Sequence, residues 1–111
     1  VYGATYELDY VDDYPVLMND QTLTEFVANS LEQHPFAELK KVVDSGPIAP
    51  SEDFAYYCQE RPSCFFYVGA TGEGQVAYPH HHPKFDIDEA SILIAAKTMA
   101  TVVSEYFNQE K

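Results

Sequence analysis

The last quarter of the chain constrains the fold most. From Asp86 to about Phe107 the residues follow a helical period, with Leu93, Ala96, Met99, Ala100, Val103 and Phe107 spread around most of the circumference. Only a narrow polar stripe remains, at Ser91, Thr98, Thr101, Glu105 and Asn108. A helix this apolar has to be covered on most sides. Asp86, with Glu89 three residues on, reads as its N-cap and capping-box partner. The other helices in the chain are too few to cover it. The sequence therefore predicts an apolar patch around Leu93, Met99 and Val103 that is left open or buried by association.

The remaining elements follow from pattern and punctuation. Residues 2–10 alternate, with Ala4, Tyr6, Leu8 and Tyr10 on one face and Thr5, Glu7 and Asp9 on the other, as in a half-exposed strand. Asp12, Asp13, Tyr14 and Pro15 break it with turn chemistry. Asn19 and Asp20 are candidate caps, and Thr22 with Glu25 forms a capping box before an amphipathic helix carrying Leu23, Phe26, Val27 and Leu31. His34 and Pro35 end that helix near Gln33. Residues 37–43 read as a short strand, and residues 44–50 as a loop. Ser51 can cap a short helix over 52–59, which Arg61 and Pro62 stop. Residues 64–70 are nearly continuous in apolar character, as a strand buried on both faces would be. The expected fold class is α/β, in the order β-α-β-α-β-α.

Composition narrows the partners. The chain has 111 residues, 46% of them hydrophobic, with six Lys+Arg against eighteen Asp+Glu and a formal net charge of −12. Nucleic acid is excluded as a partner because phosphate neutralisation needs clustered cations. Anionic membrane surfaces are excluded for the same reason. The apolar runs are far short of the ~20 residues a spanning helix needs. No basic segment followed by an apolar run opens the chain, and it begins inside strand-like text without Met, so a fragment is expected. Cys58 and Cys64 match no metal spacing and read as reduced, packed thiols of a cytoplasmic protein.

The segment most suggestive of chemistry runs from Tyr78 to Glu89 and holds His80, His81 and His82 between Pro79 and Pro83. Prolines favour extended backbone before them, which would send His80 and His82 to one side and His81 to the other. Imidazole is the commonest protein ligand for zinc and related metals. A complete site needs three or four ligands, and the chain has neither a second cluster nor an HExxH pair. The alternative is a polar loop whose histidines are solvated or cap the following helix.

Three stretches, HHPKFDIDEAS at 81–91, SEDFAYY at 51–57 and CFFYVGA at 64–70, occur in order. Together they resemble the C-terminal end of the aminoacylase-type metallopeptidases, in the branch of N-acyl-amino-acid amidohydrolases, hippurate hydrolases and auxin-conjugate hydrolases. The opening strand followed by YPVLMND at 14–20 is similar to that family's exit from an inserted lid domain. The resemblance implies that residues 1–14 end the lid or dimerisation domain and 15–111 form the C-terminal part of the catalytic metal-binding domain. It implies two divalent metal ions in the full-length enzyme (zinc, manganese, nickel or cobalt), with none held firmly by this piece. The family's last metal ligand lies in an H-x-P-x-F pattern, which falls on His81, with Pro83 and Phe85 in register. The helix start at Glu52 and the strand end at Gly69 are implied to lie near substrate. A helix N-terminus can bind an anion, and a glycine lets backbone approach a ligand. Each also reads plainly, as an acid-capped helix start and a turn glycine.

The family's other ligands and its general base have no match here, so no catalytic residue is assigned and the chain is expected not to turn over alone. The implied function is cleavage of a small N-acyl-amino acid into a carboxylic acid and a free amino acid, by a homo-oligomer in the cytoplasm. A reading from a different class is a free-standing acidic interaction module that docks through residues 2–10 by sheet-edge addition.

Overall fold

A computed structural model describes residues 2–109; Val1, Glu110 and Lys111, which fall within the expected 1–14 and 15–111 domains, lie outside the described residues. Three helices form, in the order α1 (Gln21–Gln33), α2 (Ala55–Glu60) and α3 (Ala90–Asn108). Asp20 caps α1: its backbone is extended (φ −66°, ψ 127°) and its carboxylate accepts the Leu23 amide at 2.8 Å. The expected capping box is not used. Glu25 instead accepts from the Gln21 side chain, at 2.9 Å. His34 closes the helix by donating its amide to Ser30 O, as the following proline predicts. On α3 the cap moves two residues along from Asp86. Asp88 accepts the Ala90 amide through Oδ1 and the Ser91 amide through its carbonyl oxygen, both at 2.9 Å. Ser51 caps nothing in α2, whose N-terminal flank, Phe54, makes no side-chain cap bond.

No strand forms among the described residues, which overturns the expected α/β order β-α-β-α-β-α. A ladder needs a neighbour to accept its amides, and none is present. Residues 2–10 alternate as a strand would, yet nothing covers either face: Tyr2 is 96% and Tyr6 90% exposed. Residues 37–43 start in a turn, with the Leu39 amide donating to Phe36 O at 2.9 Å. Residues 64–70 are pinned by single contacts in place of a ladder. The Asn19 side chain bonds both backbone groups of Phe65, accepting its amide and donating to its carbonyl, each at 2.8 Å. The Asp20 amide donates to Ser63 O and the Asp88 amide to Ala70 O, both at 2.8 Å. β propensity and alternation are necessary for a strand but do not supply its partner.

The core is the seam between α1 and α3, and Ala55 of α2, a helix that packs on neither, is buried separately. Val27, Leu31 and Ala55 are the buried apolar residues, joined by the buried Ser30, Ser91 and Thr98. So α3 turns its small polar stripe inward and most of its apolar surface outward: Leu93, Met99, Val103 and Phe107 are 50%, 52%, 47% and 62% exposed. This is the open patch that the sequence predicted. Around the seam, the Phe26 and Tyr106 rings meet edge to face at 6.1 Å, and His34 Nε2 lies 3.1 Å from Glu105 Oε2. Lys97 donates to both Glu38 oxygens at 2.7 Å and stands 5.7 Å from the centre of the Phe36 ring.

The accessible surface is 9699 Å². A folded monomer of 12.5 kDa exposes roughly 6200 Å². The radius of gyration is 18.9 Å, against about 13 Å for a compact domain of this length. This excess is surface that the chain does not cover for itself.

Two outcomes follow from this packing. Leu31→Ala should destabilise the α1–α3 pair by about 2–5 kcal/mol in a urea titration followed by circular dichroism, while Tyr6→Ala should stay within about 0.5 kcal/mol of the parent. The second concerns Glu38, whose carboxyl is held below its usual range chiefly by the hydrogen bond from Lys97 and next by its own backbone amide. A carboxyl lowered in the folded state stabilises above its unfolded value and loses that contribution as pH falls through the folded one. The urea midpoint should therefore drop below about pH 4, and Glu38→Gln should drop less over the same range.

Candidate active-site cleft

The histidine segment folds as two consecutive turns. The His82 amide donates to Pro79 O at 3.1 Å, and the Phe85 amide donates to His82 O at 2.9 Å. His81 sits at the third position of the first turn with φ 68°, the only non-glycine residue with positive φ among those described. That position and sign are those of a type II turn, where glycine or asparagine is favoured. The extended backbone expected from Pro79 and Pro83 is therefore not what forms: the chain turns at His81, and the alternation argument separating His80 from His81 lapses. Left-handed backbone at an L-residue costs roughly 1–2 kcal/mol. Such strain concentrates at functional positions.

The three rings have different surroundings. His80 lies edge-on to Phe85 at 5.1 Å and 6.5 Å from Tyr67. His82 stacks on Tyr78 at 4.6 Å with 13° between planes, and its Nδ1 accepts the Lys84 amide at 3.0 Å. Lys84 Nζ stands 5.9 Å from the centre of the same Tyr78 ring. His81 makes no hydrogen bond or aromatic contact through its ring among the described residues. His80 also makes no described ring hydrogen bond, so His81 differs from it in having no aromatic contact and in not lining the cleft beside the turn.

Beside this turn lies a cleft of about 370 Å³ walled by Val68, Ala70, Tyr78, His80, Phe85 and Ile87, with Asp86 and Thr71 as polar lining. Gly69 falls between two wall residues, so the structure brings it to the same neighbourhood as the histidine turn. No side-chain crowding demands glycine there: a Cβ at Gly69 would meet nothing within 4 Å. Glu52 lines neither this cleft nor a second one of about 350 Å³ beside Met18, Cys58 and Arg61. Its Oε1 accepts the Phe54 amide at 3.4 Å, at the start of α2. Both cysteines are free thiols.

Sequence reasoning missed three positions that shape this region. Gly72 sits in a tight spot, where a Cβ would come within 3.1 Å of the Asp88 and Gln75 side-chain ends, which would have to shift slightly. Tyr78, the platform under His82, and Asn19, the clamp on Phe65, are the others. Tyr78 had a signal, an aromatic residue one place before the proline that opens the turn. Asn19 had none beyond its capping propensity.

No group of three or more His, Cys, Asp or Glu side chains that could hold a metal ion gathers among the described residues. A divalent metal needs three or four ligands. One free imidazole fits a single coordination position, so these residues do not make a complete centre. Asp86 and Asp88 are already engaged with the backbone amides of Ile87 and Ala90.

Residues 4–105 match the family described as Peptidase family M20/M25/M40, and the chain belongs to it. This bears out at family level the resemblance carried by the three motifs. Among relatives, it is 37% identical over 107 residues to the protein named "Putative amidohydrolase YhaA" of Bacillus subtilis (strain 168), covering 96% of this chain and 26% of that protein. To the N-acetyl-L-cysteine deacetylase of the same organism it is 37% identical over 82 residues, 74% of this chain and 18% of that one. A crystal structure described as "a putative aminohydrolase from methicillin resistant Staphylococcus aureus" superposes with a TM-score of 0.76 at 53% identity, covering 95% of this chain and 26% of that one. The chain thus spans about a quarter of the length of the first of these relatives and of the solved structure.

The strained corner gives a direct test. His81→Gly relieves the left-handed cost, so the amides of His82 and Phe85 should exchange hydrogen more slowly, by a factor corresponding to about 1 kcal/mol. His81→Ala keeps the strain and should not slow them.

Proposed function

We propose that this chain is the C-terminal portion of a metal-dependent amidohydrolase that converts an N-acyl-amino acid and water into a carboxylic acid and a free amino acid. In this reading residues 1–14 end the lid and 15–111 belong to the catalytic domain. The observation that carries it is His81, an imidazole with no ring contact among the described residues, held at a strained corner next to the cleft-lining His80 in a chain of this family. His81 supplies one ligand, and polypeptide outside the 111 residues supplies the rest and the general base. Two divalent ions (zinc, manganese, nickel or cobalt) would, when bound, lower the pKa of water and polarise the scissile carbonyl.

The residues present bind and orient. Val68, Tyr78 and Phe85 offer apolar surface to one side of the substrate and Gly69 lets backbone approach it, while the Glu52 helix start, which lines neither cleft, is read as a substrate contact on the family resemblance alone. Alone, the chain does not turn over. The uncovered apolar face of α3 supports a seam with the rest of the enzyme and with a homo-oligomeric neighbour. Free Cys58 and Cys64 suit a reducing cytoplasm. The net charge of −12 speaks against nucleic acid and anionic membrane as partners. No described helix is long and apolar enough to cross a membrane.

A panel of N-acyl-amino acids assayed with the full-length protein tests this reading. Hydrolysis should require added divalent metal. His81→Ala should lower kcat/KM by at least about a hundredfold, the scale on which removing a stabilising contact to the transition state acts. Glu32→Gln, on the exposed face of α1, should leave it unchanged. Retained activity in the His81 variant would remove the ligand assignment.

A further inference from the structure

His80 and His82 flank His81, yet their bonding differs. His80 contributes a ring edge to the cleft wall and no described side-chain hydrogen bond. His82 joins the two turns: its amide donates to Pro79 O, its carbonyl accepts from Phe85, and its Nδ1 accepts from Lys84. The side-chain bond is the one that depends on residue type. Pro83 has no amide proton, so Lys84 offers the first free donor after His82. An imidazole nitrogen that accepts carries no proton, so neutral His82 keeps its proton on Nε2. The stack on Tyr78 at 4.6 Å fixes the ring's plane. Both contacts lie immediately after His81, whose φ of 68° must be held against its backbone cost.

We propose that His82 is a positioning residue. Stacked on Tyr78 and tied to the Lys84 amide, it locks the turn whose left-handed corner is His81 and so fixes where the His81 ring is presented. The functional consequence rests on reading His81 as a metal ligand; the conformational claim does not. The orienting contact reaches His81 through the backbone, as outer contacts do when they set a ligand's geometry.

The test uses the full-length protein with selectively labelled histidine and two readouts: the His81 amide–Hα coupling, which reports φ, and affinity for Co²⁺ followed by its visible absorption. His82→Phe keeps an aromatic ring for the stack and loses the acceptor. His82→Asn loses the stack but restores an acceptor two residues before Lys84, in the manner of an Asx turn. His82→Phe should move the His81 coupling away from its left-handed value and weaken Co²⁺ binding about 10–100-fold. His82→Asn should move the coupling less than His82→Phe does and recover part of the affinity. If His82→Phe does not fold, Tyr78→Leu must shift the coupling in the same direction. An unchanged coupling in His82→Phe or Tyr78→Leu, or equal losses in the Phe and Asn variants, overturns the proposal. If His81→Ala leaves Co²⁺ affinity unchanged, the ligand reading falls, and the coupling alone then decides the positioning role.

Discussion

Everything in this chain hangs on the contact between α1 and α3, and that contact is made by small polar side chains. Ser30, Ser91 and Thr98 lie in the seam with Val27 and Leu31. Small residues let two helix backbones approach closely, and Ser30 satisfies its own hydroxyl by donating to Phe26 O at 2.8 Å. The consequence is that Leu93, Met99, Val103 and Phe107 of α3 lie exposed, while α1 is the described helix that packs on it. Each such side chain, if covered, would contribute about 1.5–3 kcal/mol. An uncovered row of them is apolar surface that a covering partner would stabilise.

The same seam organises the cleft. The cap of α1 at Asp20 is also the point where residues 63–65 are held, through Ser63 O and the paired bonds of Asn19 to Phe65. At the far end, the Asp88 amide that opens α3 holds Ala70 O. Residues 64–70 are therefore strung between the N-termini of the two packed helices. Val68 and Ala70 reach the cleft wall because both helix ends fix their path. Gly72 lies close to Asp88 on that path, where a Cβ would press on the carboxylate at 3.1 Å.

How much of this could be read from sequence depended on whether the deciding interaction was local. The helices were legible because their periods and proline stops are local, and α1 ends at Gln33 as His34 and Pro35 require. Caps were legible only approximately. Asp86 and Asp88 are both plausible acids before the same helix, and the choice depends on Ala70 reaching the Asp88 amide, a contact eighteen positions away in sequence. Strands were misread because residues 2–10 and 64–70 carry the right pattern without a neighbour. At the site, His81 was picked out by register with Pro83 and Phe85, while the reason it differs from His80 and His82 lies in ring contacts with Tyr67, Tyr78 and Phe85. Spacing alone cannot encode those.

Charge sets the last condition on the cleft. A chain of net charge −12 would repel a carboxylate-bearing substrate if its field acted uniformly. Salt screens exposed charges beyond about 8 Å at physiological ionic strength, so the nearby groups decide. Between Arg61 and Lys97 the sequence holds one cation, Lys84, and its ammonium stands over Tyr78, a residue of the cleft wall. The Lys84 backbone amide is also the donor that His82 accepts. The turn that presents His81 therefore also carries Lys84. Asp86, the acid in the same wall, has one carboxylate oxygen committed to the Ile87 amide. The turn thus sets one cation, Lys84, and one acid, Asp86, against each other near the cleft.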